Sequence, residues 1–468
     1  MKKRVLYQLL TDRFAGDDGR EIRGLSRTGP ASRWVRYAGG TYNGIVHRLP
    51  YLQSLGISAI WISPIPENSH IPQDGSRPRS DGYHGYWARD FERLNLQFGD
   101  QQSLQALLRT AREFDIKVIL DVVLNHSNPT YSSDKGDLYR DGKLFSRYFD
   151  DRRAAFHHFG DLDQSQEYQS FAFENQNVWG LADLAQENLD VSNYLKEAHA
   201  RWLSLGFDGV RLDTTLHMPA SWLAEWVQYV KEHVPDCDFI FGEWWNGGPH
   251  DPVSSQASRL ADIHLTDFGW AKAVRGWLAG REDFAVIEAC VDLQDSFLDP
   301  DLKVNFVDNH DMPRLRNLLC RVGATECEAE FRTLLANVFL LIWRGVPCLY
   351  YGTESGLYTE RRARGKQTGD DPYNREPMRF LKGPSTVFEI IRKLTRLRRE
   401  TDLTDHRLEL ISTGPGHWTL SRGEVALCLE LEKPGGLPTT ASLRVGESIW
   451  WCGSAERMPR VHLGKDSR

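Results

Sequence analysis

Short runs of apolar and β-branched residues alternate with stretches of helical period along most of the chain. Eight such runs predict strands: Val5–Leu10, Ser58–Ile62, Val118–Val122, Gly209–Leu212, Phe239–Phe241, Ile263–Thr266, Val304–Val307 and Pro347–Tyr351. Helical spacing is clear over Asp100–Phe114, where Leu104, Leu107, Leu108 and Ala111 share one face behind Asp100 as an N-cap. It recurs over Pro219–Val234, where Pro219 suits a first turn and Trp222, Leu223, Trp226, Val227 and Val230 form one face. Eight strands alternating with helices predict an α/β fold, a (β/α)8 TIM barrel.

Two stretches break the alternation. Residues 127–186 are polar, aromatic and without period, too long for a plain loop and therefore an expected inserted subdomain after the third strand. Beyond residue 404, runs such as Glu424–Leu431 and Ser442–Trp451 flank the turn-rich Lys433–Pro438 and predict a small antiparallel β domain. The expected organisation is a barrel from 1–126 and 187–404, an inserted domain over 127–186 and a β tail over 405–468.

Composition narrows the function classes. The chain has 468 residues, 41% of them hydrophobic and 26% charged, which excludes a membrane bundle and a disordered chain. A net charge of −7 argues against a nucleic-acid partner, and no apolar run reaches membrane-spanning length. The run Val5–Leu10 behind Lys2, Lys3 and Arg4 is too short for a signal peptide, so a cytoplasmic location is expected. Seven cysteines without a C-x-x-C pair predict reduced thiols, with Cys428 and Cys452 a remote candidate for a disulfide. Fifteen tryptophans suggest either a large aromatic core or platforms for flat ligands and sugar rings.

Barrel enzymes carry their chemistry where strands end, and here those ends are polar. They read Asp121-Val-Val-Leu-Asn125-His126, Arg211-Leu-Asp213, Glu243, Asn309-His310-Asp311 and Tyr351-Gly-Thr-Glu354. Three carboxylates, from Asp213, Glu243 and Asp311, would crowd one site, which is costly unless the charge is used. Arg211 and Asp213 are two apart and face the same way, so the guanidinium favours an ionised Asp213. Glu243 precedes Trp244-Trp245, an apolar wall that raises a carboxyl pKa. One ionised and one protonated carboxyl is the pairing that glycoside cleavage requires.

These segments resemble glycoside hydrolase family thirteen, the α-amylase family. The matching stretches are Asp121–His126, Gly209–Asp213, Phe241–Trp244 and Phe306–Asp311, joined by Leu181-Ala-Asp-Leu184, Tyr83–Phe91 and Asp371-Pro-Tyr-Asn-Arg375. The resemblance covers roughly residues 4–405 and is strongest to the α-amylase and cyclodextrin glycosyltransferase branches. It implies that Asp213 is the nucleophile, Glu243 the general acid/base and Asp311 a binder of sugar hydroxyls. It implies substrate binding by His84, Tyr86, Trp87, His126, Arg211, His310, Asp371 and Arg375. His84, where small exo-acting α-glucosidases usually have Asp, points to longer α-1,4-glucans. A retaining mechanism implies carboxyl groups about 5–5.5 Å apart.

The resemblance further implies a Ca²⁺ ion held by Asn125, Asp183 and the carbonyl of His217. Leu216 departs from the Lys that many relatives carry before the His, on the acceptor side. Trp179 stands where cyclising relatives have a central aromatic, and Trp245 matches an aromatic acceptor position. Hydrolysis of internal α-1,4 links in malto-oligosaccharides or starch-like glucans is the expected activity, because the large extra C-terminal domains of cyclising relatives have no counterpart here. A 4-α-glucanotransferase, including a cyclodextrin-forming one, is the alternative. A catalytically silent glucan-binding protein is the third reading, opposed by the intact Asp213, Glu243 and Asp311.

Overall fold

The computed structural model describes residues 1–22, 33–74, 78–245, 247, 251–361, 367–381, 383 and 385–461. Its centre is a parallel sheet of eight strands. They are β1 (Leu6–Leu9), β2 (Ala59–Ile62), β3 (Lys117–Val122), β4 (Gly209–Leu212), β5 (Phe239–Gly242), β6 (His264–Leu265), β7 (Val304–Phe306) and β8 (Val346–Tyr350). Neighbours follow chain order, β8 pairs with β1, and a parallel bridge between Thr266 and Val304 closes the ring between β6 and β7. All eight expected strands are present, with ends shifted by a residue or two.

Side-chain alternation divides each strand between two cores. Leu6, Ala59, Trp61, Ile119, Phe239, Phe241, Val304, Phe306, Val346 and Cys348 pack together inside the barrel. Tyr7, Ile60, Ile62, Val118, Leu120, Val210, Leu212 and Ile240 face the surrounding helices instead. This parity has a functional consequence. Asp121 follows Ile119 on the interior side of β3, and Glu243 follows Phe241 on that of β5. Arg211 pairs in register with both Asp121 and Phe241. The barrel interior is thus apolar below and charged at its C-terminal mouth.

The helix Gln101–Glu113 starts where Asp100 accepts a hydrogen bond from the Ser103 amide at 2.8 Å. The second predicted helix runs Ala220–His233, with Pro219 just outside its first turn. Within 127–186, the strand Leu181–Asp183 pairs with His126–Pro129, and a hairpin, Leu138–Arg140 with Lys143–Ser146, adds to a sheet with Ala88–Leu94 and Pro66–Asn68. The loop after β2 therefore shares a sheet with the insertion, a pairing no local pattern announces.

The tail forms one antiparallel sheet of six strands: β9 (Glu409–Gly414), β10 (His417–Arg422), β11 (Val425–Leu431), β12 (Pro438–Val445), β13 (Ser448–Ser454) and β14 (Arg457–Val461). The expected strand Ser442–Trp451 is two strands, because the chain reverses at Gly446 with φ 56°. Cys428 and Cys452 both pair with Ser442, on opposite sides of it, so a whole strand separates them. Two strand spacings are about 9.5 Å, beyond disulfide reach, and both thiols are free. Residues 462–468 of the expected tail lie outside the described residues.

Candidate active site

Arg211 is the hub of the barrel mouth. It is fully buried, and its Nη1 donates to Asp121 Oδ1 at 2.9 Å and to Asp213 Oδ1 at 2.7 Å. Its Nη2 forms an ion pair with Glu243 Oε2 at 2.7 Å. Burial alone would disfavour this guanidinium, but the Asp121 and Glu243 carboxylates, with Tyr86 and Asp213, hold it charged. Its plane also lies 5.0 Å from the centre of the Trp61 ring, whose Nε1 donates to Asp121 Oδ2 at 2.8 Å. Neither Asp121 nor Trp61 was assigned a role from sequence. The parity of their strands was the available signal.

Burial pushes Glu243 up to about 7, against the pull of Arg211 and with help from the Asp213 charge. The same burial raises Asp213, again opposed by Arg211. The two carboxyls therefore titrate as a pair. Asp213 accepts a directed hydrogen bond from Arg211, which favours its ionised form, although the neighbouring Asp121 charge works against that. The guanidinium expected beside Asp213 is there, and it is shared with Glu243 and Asp121. Of the expected apolar wall, Trp244 is buried and Trp245 is 40% exposed, packed on Phe268 with ring centres 4.9 Å apart.

Asp311 completes the mouth. Its side chain keeps 30% of its surface open to solvent; the protein around it would raise its pKa, but His310 Nε2 at 3.0 Å and Arg375 Nη2 at 3.0 Å hold it well below the usual carboxylate range. Arg375 also donates to the His310 carbonyl at 2.9 Å and pairs with Asp371 at 3.1 Å. Gln8 on β1, another residue unmarked in sequence, places its amide nitrogen 2.6 Å from His310 Nδ1. The His310 ring stacks on Tyr86 at 5.1 Å and 6°, and Tyr86 donates its hydroxyl to Asp121 Oδ2 at 2.6 Å.

His84 stacks beneath Tyr86 at 5.6 Å and meets the edge of Trp87 at 4.6 Å. Burial and then Arg375 keep His84 neutral, so its Nδ1 accepts from the Tyr86 amide at 3.1 Å. Burial likewise lowers His126 to about 4, and its Nε2 lies 3.1 Å from the Tyr86 carbonyl. Arg211, His310 and Arg375 touch the three carboxylates, Asp371 and Tyr86 reach them through one neighbour, and His84, Trp87 and His126 join the same network through Tyr86. Trp179 and Trp245 are not part of this network. Trp179 is 64% exposed on a left-handed turn (φ 53°) before Leu181. Exposed Phe159 and Phe171, in edge contact at 5.0 Å, and Tyr168, near Trp244, are further aromatics of the insertion that sequence reasoning passed over.

The expected metal ligands lie at the junction of insertion and barrel. Asn125 is fully buried beside the Asp183 carboxylate, and among the described residues neither its side-chain oxygen nor its nitrogen has a well-aligned hydrogen-bond partner. Asp183 Oδ1 is equally without one, while Oδ2 sits 2.6 Å from His157 Nδ1. Burial raises Asp183 to about 7 despite that histidine. Orphaned hard oxygens at 125 and 183 fit a Ca²⁺ ion. The His217 ring, with Nδ1 3.0 Å from the Phe173 carbonyl, is engaged elsewhere, and the expected ligand is its main-chain carbonyl. Among the described residues no cluster of three or more His, Cys, Asp or Glu side chains forms a metal cage.

A family model described as the catalytic domain of α-amylase matches residues 8–388. The cyclomaltodextrin glucanotransferase of Thermoanaerobacterium thermosulfurigenes is 34% identical over 411 residues, 84% of this chain and 54% of that protein. That of Klebsiella oxytoca is 32% identical over 432 residues, 86% of this chain and 65% of that protein. The chain thus spans little more than half the length of the first of these relatives. Among solved structures, CldA, described as the first cyclomaltodextrin glucanotransferase with a three-domain ABC distribution, aligns with TM-score 0.79 and 30% identity over 94% of this chain and 89% of that one. The α-amylase of Geobacillus thermoleovorans, solved with acarbose, aligns with TM-score 0.73 and 25% identity over 98% and 95%. On its matched catalytic domain and these relatives, the chain belongs to the α-amylase family, glycoside hydrolase family thirteen.

Proposed function

We propose that this chain is a retaining enzyme of α-1,4-glucans whose covalent glycosyl intermediate on Asp213 is passed chiefly to a second glucan. The observation that carries the retaining part is the grip of one guanidinium on both Asp213 and Glu243. Asp213 Oδ attacks the anomeric carbon while Glu243 gives its proton to the departing glycosidic oxygen. The Glu243 carboxylate then takes the proton of an incoming hydroxyl as the bond to Asp213 breaks. Asp311, kept ionised by His310 and Arg375, accepts hydrogen bonds from sugar hydroxyls. Tyr86 and His84 form the wall against which the ring rests.

Transfer rather than hydrolysis is favoured by the exposed Trp179 and Trp245, surfaces on which an acceptor glucan can stack. The expectation of hydrolysis leaned on the lack of large extra C-terminal domains. A cyclomaltodextrin glucanotransferase with a three-domain distribution removes that support. Time-resolved product analysis on maltoheptaose decides between the two. Longer or cyclic glucans before reducing sugar are expected. Shorter products alone would establish hydrolysis, and none of either would establish a silent binder. Glu243→Gln should lower turnover about 10³-fold without loss of fold.

For the metal, Asn125, Asp183 and the carbonyl of His217 would hold Ca²⁺ and tie the insertion to the barrel by neutralising a buried carboxylate. The expected sign is a melting temperature lowered by EDTA and restored by Ca²⁺. An unchanged melting curve would leave the junction to Asp183 and His157 alone.

A further inference from the structure

On the proposed reading, Glu243 must keep its carboxyl aimed at a glycosidic oxygen through every turnover. Two threonines outside the catalytic network hold the backbone on which it sits. Thr215 donates both its amide, at 3.0 Å, and its hydroxyl, at 2.5 Å, to the carbonyl oxygen of Glu243. Thr266 treats the preceding carbonyl, that of Gly242, in the same way, with its amide at 3.0 Å and its hydroxyl at 3.3 Å. The Glu243 amide in turn donates to the Leu212 carbonyl at 2.8 Å.

Strand pairing alone uses one lone pair of each carbonyl, so the second hydroxyl bond is an addition. Its effect is directional. Both main-chain groups of Glu243 are tied to the end of β4, which carries Asp213, and the peptide before it is tied to the end of β6. The threonines are buried, so water does not compete for these bonds. Gly242 permits the approach: a Cβ there would lie 2.6 Å from Thr215 Cγ2. Thr214 turns the chain with φ 48°, a costly conformation for a β-branched residue. That turn brings its own amide 3.5 Å from Glu243 Oε2.

We infer that Thr215, seconded by Thr266, is a positioning residue that keeps the general acid in register with the nucleophile. It acts through Glu243 and touches no substrate. The inference rests on the proposed function and separates from it by the choice of leaving group. Maltoheptaose needs a proton on its departing sugar. α-Maltosyl fluoride needs little protonic help, because fluoride leaves as an anion.

Thr215→Ala should lower kcat on maltoheptaose about tenfold, with KM within about twofold and with the first-turnover release of fluoride from α-maltosyl fluoride, which precedes the general-base step, within about twofold. Thr215→Ser, which keeps the hydroxyl, should restore maltoheptaose turnover. Equal losses on both substrates, no loss on maltoheptaose, or a Ser variant as slow as the Ala variant would each overturn the inference. If Thr215→Ala does not fold, Thr266→Ala takes its place with the same selective loss expected and the same outcomes decisive. A wild-type chain inactive on both substrates overturns the function itself, before any variant is compared.

Discussion

Two buried arginine sites sit at opposite roles in this molecule, one at the barrel mouth and one under the tail sheet. Arg211 meets carboxylates: Asp121, Asp213 and Glu243. Among the described residues, Arg398 and Arg422 donate hydrogen bonds only to carbonyls. Arg398 donates to Leu341, Trp343, Lys2 and Gly345, and Arg422 to Ile342, Trp343, Thr404 and His406. Several of these carbonyls belong to the last turn of the helix Glu326–Ile342 and the residue after it, where intrahelical donors run out. The electrostatic consequence is opposite. Arg211 is held well above its ordinary pKa, whereas burial, with the Arg422 charge beside it, lowers Arg398 to about 9, and burial, with Arg344, lowers Arg422 to about 10.

The contrast teaches what a buried cation is for. Carbonyl dipoles satisfy its hydrogen bonds and leave a cationic joint, without a titrating partner, between barrel, helix and tail. Carboxylates instead surround it with protons that can be moved. The joint stores no chemistry, and the mouth stores little stability, because desolvating four charged groups offsets much of their attraction.

Arg211→Met should break the comparison most severely. Three carboxylates lose their common partner, so unfolding free energy should fall by about 3–5 kcal/mol and glucan cleavage should be abolished. Denaturant melts and maltoheptaose turnover measure the two, and a stable, active variant would refute the hub role of Arg211. Arg398→Met should affect stability alone. Buried carbonyls left unsatisfied should lower it by about 3 kcal/mol, with turnover of the remaining folded enzyme unchanged.

The pH profile is the gentlest probe. Burial raises Glu243 and Asp213 together, each to about 7, so the pair gives up one proton before the other, and the proton kept longer, on Glu243, is lost as pH rises past neutrality. The bond-cleaving step should therefore decline above about pH 7, and it should decline again at low pH as Asp213 becomes protonated. The same limbs should persist unchanged in Arg398→Met. An activity that keeps rising beyond pH 8 would show that Glu243 is not the acid.

Much of the barrel was legible because its strands are short apolar runs whose parity survives into three dimensions. Asp213, Glu243 and Asp311 were legible because polar residues at strand ends break that apolar pattern. The hairpin at Gly446 was not, since its flanking strands share composition and only a positive φ marks the reversal. Gln8 and Trp61 were hidden for a different reason: each lies within a strand that reads as plain core. His157 was hidden because its partner, Asp183, lies 26 residues away across the insertion.

The amino-acid order alone thus determined the alternation of strands and helices, the interior side of each strand and the carboxylates that end there. Those are local properties, set by period and by the cost of burying charge. Only the closed barrel decided which carboxylates share Arg211, which threonines bracket Glu243 and which arginines cap carbonyls instead. These are contacts between strands or helices far apart in the chain, and no local period encodes which of them will meet.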